Sequence, residues 1–153
     1  MDGRGSYLFL LCRVRALVCA FPLAQVSEVM RRLPADPLPG MPAYVRGLSV
    51  IRGLPTPVVD AAELLESGAG GGDRYVLLHE GERKVALLVD EVLGVRALGE
   101  AMLGDLPPLF RSPEAGFIAA LGRLDDGLFM LLRMARLLPE ALWAEVNAVT
   151  GRA

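Results

Sequence analysis

The chain is poor in the residues that most often build catalytic and metal sites. Its 153 residues include one histidine, His79, and two cysteines. A histidine needs converging partners, such as a serine nucleophile, a carboxylate or a second metal ligand, before it can do chemistry. The five serines all lie outside a Gly-x-Ser-x-Gly nucleophile pattern. His79 is therefore expected to be an exposed residue near a strand end, and no catalytic residue, metal or cofactor is predicted.

The chain also lacks an excess of basic charge and any long apolar run. Its 16 basic and 18 acidic residues give a net charge of −2, whereas nucleic-acid-binding proteins concentrate basic charge on one face. The longest apolar runs, Tyr7–Cys12 and Ala16–Leu23, are far too short to cross a bilayer, and the N-terminus shows no signal peptide. We expect a cytoplasmic protein in which Cys12 and Cys19 are buried thiols.

What the sequence does contain is a succession of short segments rich in β-forming residues. Hairpin turns are indicated at Glu80–Glu82, which carries Gly81, and at Asp125–Gly127. The predicted strands are Tyr7–Arg13, Val14–Phe21, Leu48–Ile51, Pro57–Val59, Arg74–His79, Arg83–Asp90, Phe117–Leu124 and Leu128–Leu132. Many short strands with few helices predict an all-β fold. Barrels would remove the exposed strand edges of so short a chain.

The first connections between strands carry turn and helix signals. Val26–Met30 has apolar side chains three and four residues apart, which predicts a short helical or bent segment. Four prolines and a glycine in residues 33–42 predict a surface connection. Pro42 can open a helical turn, Ala43–Arg46, which Gly47 would close in the left-handed conformation.

Two helices are predicted later in the chain. Asp60 and Glu63 fit a capping box, so a short helix should follow at Ala61–Glu66. Pro139 should start a C-terminal helix that packs on the barrel, and the single tryptophan, Trp143, lies off its apolar stripe as a possible contact residue. The stripe is formed by Leu138, Leu142, Val146 and Val149. Loops are expected at Ser67–Asp73 and Ala97–Ala115.

Arg52 interrupts an apolar stretch, GLSVIRGLPTPVVD, that spans Gly47 to Asp60. A guanidinium is always charged and costly to bury, so Arg52 must either pair with a carboxylate or lie in solvent. One interpretation is a solvated arginine at a turn, which suits Gly53 and Pro55. The other is a residue that contacts a partner, and the residues alone leave both open.

The order of three motifs resembles the CheW-like coupling domain of bacterial chemosensory systems. The motifs are FPLAQVSEVMRR, LPGMPAYVRGLSVIRGLPTPVVDAAELL and VALLVDEVLGV, and the similarity runs from about Tyr7 to Leu142. The resemblance implies two five-stranded SH3-like barrels packed side by side, with short helices and a C-terminal helix. It implies a single domain over 7–142, a helix end and tail over 143–153, and no enzymatic activity.

The resemblance also implies a function. Such adaptors bridge the cytoplasmic hairpin tips of chemoreceptors to the regulatory domain of the CheA histidine kinase, and they are recruited to receptor arrays. The receptor-facing positions carried over from the family are Val26, Glu28, Gly47 and Arg52, with Val92 and Val95 from the second barrel. An apolar groove between the barrels would take a receptor helix, and the charges at its rim would set the register.

Three departures from the family pattern keep alternatives open. Val50 stands where the family favours Asn before Leu-Arg-Gly, Ala61 replaces a leucine, and Arg133 replaces an aspartate. The first alternative is a divergent adaptor of another chemosensory pathway with altered kinase binding. The second is a small β-barrel module that binds an anionic metabolite between its lobes, with Arg52 clamping the anion.

Overall fold

A computed structural model of the protein describes residues 7–65, 72–99, 103–104, 116–125 and 127–150. Most of the regular structure in these ranges is β. The strands are β1 (Tyr7–Val14), β2 (Leu17–Pro22), β3 (Val26–Arg31), β4 (Val45–Ile51), β5 (Leu54–Asp60), β6 (Arg74–Glu80), β7 (Arg83–Val89), β8 (Glu91–Leu98), β9 (Leu103–Gly104), β10 (Ile118–Leu124) and β11 (Gly127–Leu132). The α-helices are α1 (Ala61–Leu64) and α2 (Glu140–Thr150), and short 3-10 helices cover Leu23–Gln25 and Met134–Arg136.

The strands form two sheets, each the base of one SH3-like lobe. The first lobe has the order β3-β6-β7-β5-β4, and the second has the order β8-β1-β2-β11-β10, extended by the two-residue β9. The chain starts in the second lobe with the β1–β2 hairpin, builds the whole first lobe, and returns at β8. This confirms the predicted all-β fold of two five-stranded lobes.

A shared apolar core packs the lobes side by side. It joins buried side chains of the second lobe, such as Cys12 and Phe21, to those of the first, such as Val76 and Leu87. Each lobe also has a smaller core of its own. Because this shared core buries apolar surface from both sheets, separating the lobes would expose it to water.

The two cysteines are buried in this shared core. Cys12 and Cys19 lie directly opposite each other on β1 and β2, and both are free thiols. Burial raises the pKa of Cys12 to about 12, and it raises the pKa of Cys19 to about 12 with a smaller contribution from the neighbouring Cys12. The buried-thiol prediction is confirmed, and neither thiol is a nucleophile near neutral pH.

Two predictions of helical turns in the first lobe are wrong. Val26–Met30 is not helical but belongs to β3, because it pairs along its length with β6. The predicted turn Ala43–Arg46 is cut short, since β4 begins at Val45. Gly47 has the predicted positive φ, +128°, but it lies inside β4 at a register shift and closes no helix.

Other differences concern the ends of elements. The sequence did not predict β8, which continues from Glu91 into the start of the expected loop. Helix α1 begins as predicted, with Asp60 Oδ1 accepting from the backbone N–H of Ala62 at 3.0 Å, but it ends at Leu64, and Leu65 is its C-cap, so the predicted span to Glu66 is too long. Most of the predicted loops over 67–73 and 97–115 lies outside the described residues.

Helix α2 begins one residue after Pro139, as predicted, and packs on the first lobe. Trp143 is 2% exposed and donates its indole N–H to the carbonyl of Ala135 at 3.2 Å. The guanidinium of Arg83 lies 5.1 Å from the Trp143 ring centre and forms a fork with Glu140 at 2.8 and 2.6 Å. Trp143 is therefore a core residue and not the surface contact suggested by its place off the stripe. In the described part of the chain, no helix has the length and apolar character needed to span a bilayer.

Candidate partner-binding site

Arg52 and Glu28 form an exposed, forked ion pair at the tip of the β4–β5 hairpin. Arg52 Nε donates to Glu28 Oε2 at 2.7 Å, and Nη2 donates to Oε1 at 2.8 Å. The Arg52 side chain is 75% exposed. Its guanidinium holds the pKa of Glu28 below the usual range, and Glu28 in turn raises the pKa of Arg52. Among the described residues, Glu28 engages only the Nε–Nη2 edge of the guanidinium, which leaves its other N–H groups available to bind a partner.

The backbone at Arg52 is strained. Arg52 has φ +51° and Gly53 has φ +79°, and these two residues alone connect β4 to β5. Positive φ at both central residues is the pattern of a type I′ turn, which favours Asn-Gly or Gly-Gly. An arginine in the left-handed region costs about 1–2 kcal/mol. Arg15 and Asp125 have similar φ values in other hairpin turns. What distinguishes Arg52 is its exposed ion pair, which contributes little stability and so does not explain the arginine by folding.

Arg52→Asn is expected to raise the free energy of unfolding by up to about 1 kcal/mol, because Asn-Gly suits the turn and the lost exposed ion pair contributes less than about 1 kcal/mol. Urea unfolding of the wild type and the variant measures the difference. The same substitution in a Glu28→Gln background isolates the turn, since the ion pair is already absent there. A loss of more than about 1 kcal/mol in the wild-type background would show that the ion pair outweighs the turn.

A shallow pocket of about 130 Å³ lies beneath the ion pair, at the mouth of the first lobe. Ile51, Thr56, Leu77 and Lys84 contribute to its wall. Sites for small molecules commonly enclose about 300–1,000 Å³. The pocket is smaller than that range, and Arg52 is already paired at its rim, so the geometry does not favour the anionic-metabolite alternative. A larger cleft of about 550 Å³ lies elsewhere, against Tyr44 and Phe117.

Two β-bulges determine which valines share a face. In β3 a register shift between Val26 and Glu28 leaves Val26 opposite Leu78 and Val29 opposite Val76. Directly paired residues lie on the same face of a sheet, and Leu78 and Val76 both belong to the shared core. Val26 and Val29, three residues apart, therefore both lie on the face of β3 that is turned toward the second lobe.

A second β-bulge has the same effect in β8 of the second lobe. Val92 pairs with Cys12 and Val95 pairs with Leu10, with a register shift at Leu11 and Cys12 and with Gly94 at φ +120°. Cys12 and Leu10 are members of the shared core. We call the set Val26, Val29, Val92 and Val95 the valine surface: Val26 and Val92 pack against the shared core, and Val29 and Val95 lie on the same faces of β3 and β8. Val29 is 38% exposed and Val95 is 48% exposed.

Five of the six predicted site residues are thus distributed over two features. Glu28 and Arg52 form the ion pair, while Val26, Val92 and Val95 belong to the valine surface. Gly47 stands apart, because it is buried in β4 beneath the backbone of Asp36. The chain's own backbone explains why residue 47 is a glycine, and a partner contact by Gly47 stays a prediction.

Sequence reasoning did not include several exposed apolar residues near these features. Val29 shares the face of Val26, Leu54 follows the Arg52 turn at 41% exposure, and Val50 precedes it at 62% exposure. Val50 and Leu54 both lie in the stretch GLSVIRGLPTPVVD. Their positions at the strand ends beside the two-residue turn could have indicated that they are exposed. Val29 lies on the same face as Val26 only because of the β-bulge. The sequence of β3 contains no glycine that would have indicated a bulge.

The described residues do not assemble a reactive centre. His79 is half-buried on β6 opposite Lys84, so the expectation of an exposed histidine is wrong. Within the described ranges, no group of three or more His, Cys, Asp or Glu side chains could hold a metal ion. The candidate site combines an exposed apolar surface with an exposed ion pair on a two-lobed β fold.

The chain belongs to the CheW-like domain family, whose profile matches residues 8–142. Members of this family are scaffold or adaptor proteins and not enzymes. The resemblance seen in the sequence is therefore confirmed at the level of the family.

Named relatives and a solved structure agree with this membership. A probable chemotaxis protein CheW of Rhizobium etli is 27% identical over 129 residues, covering 82% of this chain and 80% of the relative. Protein FrzA of Myxococcus xanthus is 31% identical over 110 residues, covering 70% and 68%. The scaffolding protein TtCheW from Thermoanaerobacter tengcongensis has a similar fold, with a TM-score of 0.77 at 19% identity and 88% of each chain covered.

Proposed function

We propose that the protein is a cytoplasmic, non-enzymatic adaptor that couples the hairpin tip of a chemoreceptor to a CheA-type histidine kinase. The observation that carries the proposal is the exposed part of the valine surface, Val29 and Val95. A second exposed feature, the Arg52–Glu28 ion pair, is attached to the same strand β3, on the face paired with Leu77. Val29 and Val95 are exposed, and the exposed Arg52–Glu28 pair contributes little stability, so both features suit a protein partner. Membership of the CheW-like family and the chemotaxis names of its relatives support the chemosensory setting.

The receptor helix is proposed to lie on the valine surface between the lobes. An amphipathic helix places apolar residues at i, i+3, i+4 and i+7, so it can contact strips from two strands at once. Val26 and Val29 would contact it from the first lobe, and Val92 and Val95 from the second. Arg52, held by Glu28, would bind a polar group at the rim and fix the register of the helix.

The kinase contact is proposed to use a different surface, so that one adaptor can hold both partners. Arg133 is exposed after β11 where the family pattern has an aspartate. A positive charge there would change which kinase surface is complementary. The proposal therefore includes a divergent adaptor that binds receptors but whose kinase partner has a surface charge complementary to Arg133.

Arg52→Glu is expected to weaken binding of a receptor hairpin-tip fragment by about 100-fold or more, because it removes the free guanidinium edge and places two carboxylates side by side. Isothermal titration calorimetry with the wild type and the variant measures the change. The regulatory domain of the kinase, titrated separately, should bind both proteins equally.

Arg123→Glu is the matched control, since Arg123 is exposed on β10, away from the ion pair. It should leave receptor binding unchanged. Failure of the wild type to bind either partner at tens of micromolar, a range typical of weak signalling contacts, would refute the adaptor function. Equal receptor binding by the wild type and Arg52→Glu would refute only the role of Arg52.

A further inference from the structure

The interlobe face of β3 ends in an arginine that has no ion-pair partner among the described residues. Arg31 lies two residues beyond Val29 and is exposed. Its cross-strand neighbour on β6 is Arg74, directly opposite in register. Arg74 in turn pairs with Val89 of the shared core, so Arg31 and Arg74 lie on the same face as Val26 and Val29.

Two arginines placed directly opposite each other destabilise a sheet. The surrounding charges offset this only in part. Arg74 Nη1 binds Asp73 Oδ2 at 2.7 Å, and Arg32 Nη1 donates to the carbonyl of Gly72 at 3.0 Å. Among the described residues, this end of the strand pair therefore combines three arginines with one carboxylate, in a chain whose net charge is −2. The local basic charge suits an acidic group supplied by another molecule.

We infer that the helix bound on the valine surface carries an acidic side chain next to its apolar stripe, at the end where Arg31 and Arg74 lie. This inference rests on the proposed function and adds the chemistry of the partner and the position of its charged side chain. Arg31 lies about 7 Å along β3 from Val29, and one helical turn advances about 5.4 Å. The acidic residue is therefore expected about one turn beyond the last apolar contact.

Arg31→Glu is expected to weaken binding of a receptor hairpin-tip fragment by about tenfold at low salt, and by less at high salt, because exposed charge pairs are screened. Titrations at both salt concentrations with the wild type, Arg31→Glu and the control Arg123→Glu measure the effect. Replacing the fragment's acidic residues by lysine one at a time should identify one position at which Arg31→Glu binds better than the wild type.

The outcomes separate the inference from the function on which it rests. If the wild type binds the fragment and Arg31→Glu binds equally well at both salt concentrations, the acidic contact is wrong and the adaptor function stands. If the wild type does not bind the fragment, both the receptor-binding function and the acidic contact are wrong. Sedimentation of the protein alone tests whether this surface binds a second copy of the chain instead. A wild-type dimer that Arg31→Glu dissociates would overturn the inference.

Discussion

Gly47→Ala is expected to lower the free energy of unfolding by about 4 kcal/mol or more, a loss seen only for severe core or backbone conflicts. A Cβ at Gly47 would overlap the carbonyl group of Asp36 and lie 2.8 Å from Pro37 Cα. Asp36 cannot move away freely, because its N–H and C=O both bond to Leu48 of β4, at 2.8 and 2.9 Å. The φ of +128° at Gly47 adds strain for any residue with a side chain.

Gly94→Ala is the matched control for backbone strain without a clash. Gly94 has a similar φ, +120°, but an added Cβ would have no atom within 4 Å. Its cost should be about 1–3 kcal/mol, from conformation alone. Urea unfolding of both variants tests the difference. Equal losses of unfolding free energy would mean that the segment containing Asp36 moves to accommodate the added Cβ. Gly47 would then be required only by its positive φ.

The comparison also bears on how loss of Gly47 would affect signalling. If a Gly47 variant fails to bind a receptor, its circular dichroism distinguishes loss of folding from loss of a direct contact. Gly94→Ala changes the bulge that places Val92 and Val95 on one face. It can therefore weaken receptor binding while the protein remains folded.

Local chemistry explains which parts of the fold could be predicted from the sequence. The hairpins around Gly81 and around Asp125–Gly127 follow from turn residues that act within a few positions. The cap at Asp60 is equally local, since its Oδ1 accepts from the first turn of α1. These signals need no knowledge of the rest of the chain.

The bulges explain much of what could not be predicted. In β3 the valines at 26 and 29 are three residues apart on one face, a spacing that a regular strand never gives and that a helix does. The helical interpretation of Val26–Met30 followed from this spacing and was wrong. In β8 the glycine at 94 was an available sign of a bulge, whereas β3 carries Ser27 and Glu28 at its register shift.

Contacts between side chains that are distant along the chain also could not be predicted from the sequence. Glu28 and Arg52 were both predicted at the rim of a groove, but their fork depends on the fold that brings β3 to the β4–β5 turn. The opposition of Arg31 and Arg74 depends on the register of β3 and β6, and a shift of one residue would place Arg31 on the other face. Both contacts are properties of the tertiary structure.

Asp60→Ala is expected to lower the free energy of unfolding by about 2–4 kcal/mol, from the loss of a helix cap and of hydrogen bonds to an Arg46 side chain that is 39% exposed. The Asp60 side chain is 1% exposed, and Oδ2 accepts from Arg46 Nε at 3.0 Å and from Nη2 at 2.6 Å. Oδ1 caps α1 through the N–H groups of Ala62 and Glu63. Removing the carboxylate leaves the partly buried Arg46 without its partner and exposes the start of α1 at the same time.

Asp73→Ala provides the comparison, because it breaks an ion pair with Arg74 in which the Asp73 side chain is 66% exposed. That loss should be below about 1 kcal/mol. Asp60→Asn should fall between the two, since its amide oxygen can still cap α1 while its amide nitrogen opposes the Arg46 donors. If Asp60→Ala costs no more than Asp73→Ala in urea unfolding, Arg46 must find water or another acceptor at no cost. The end of the β4–β5 hairpin opposite Arg52 would then be held by its backbone pairing and packing alone.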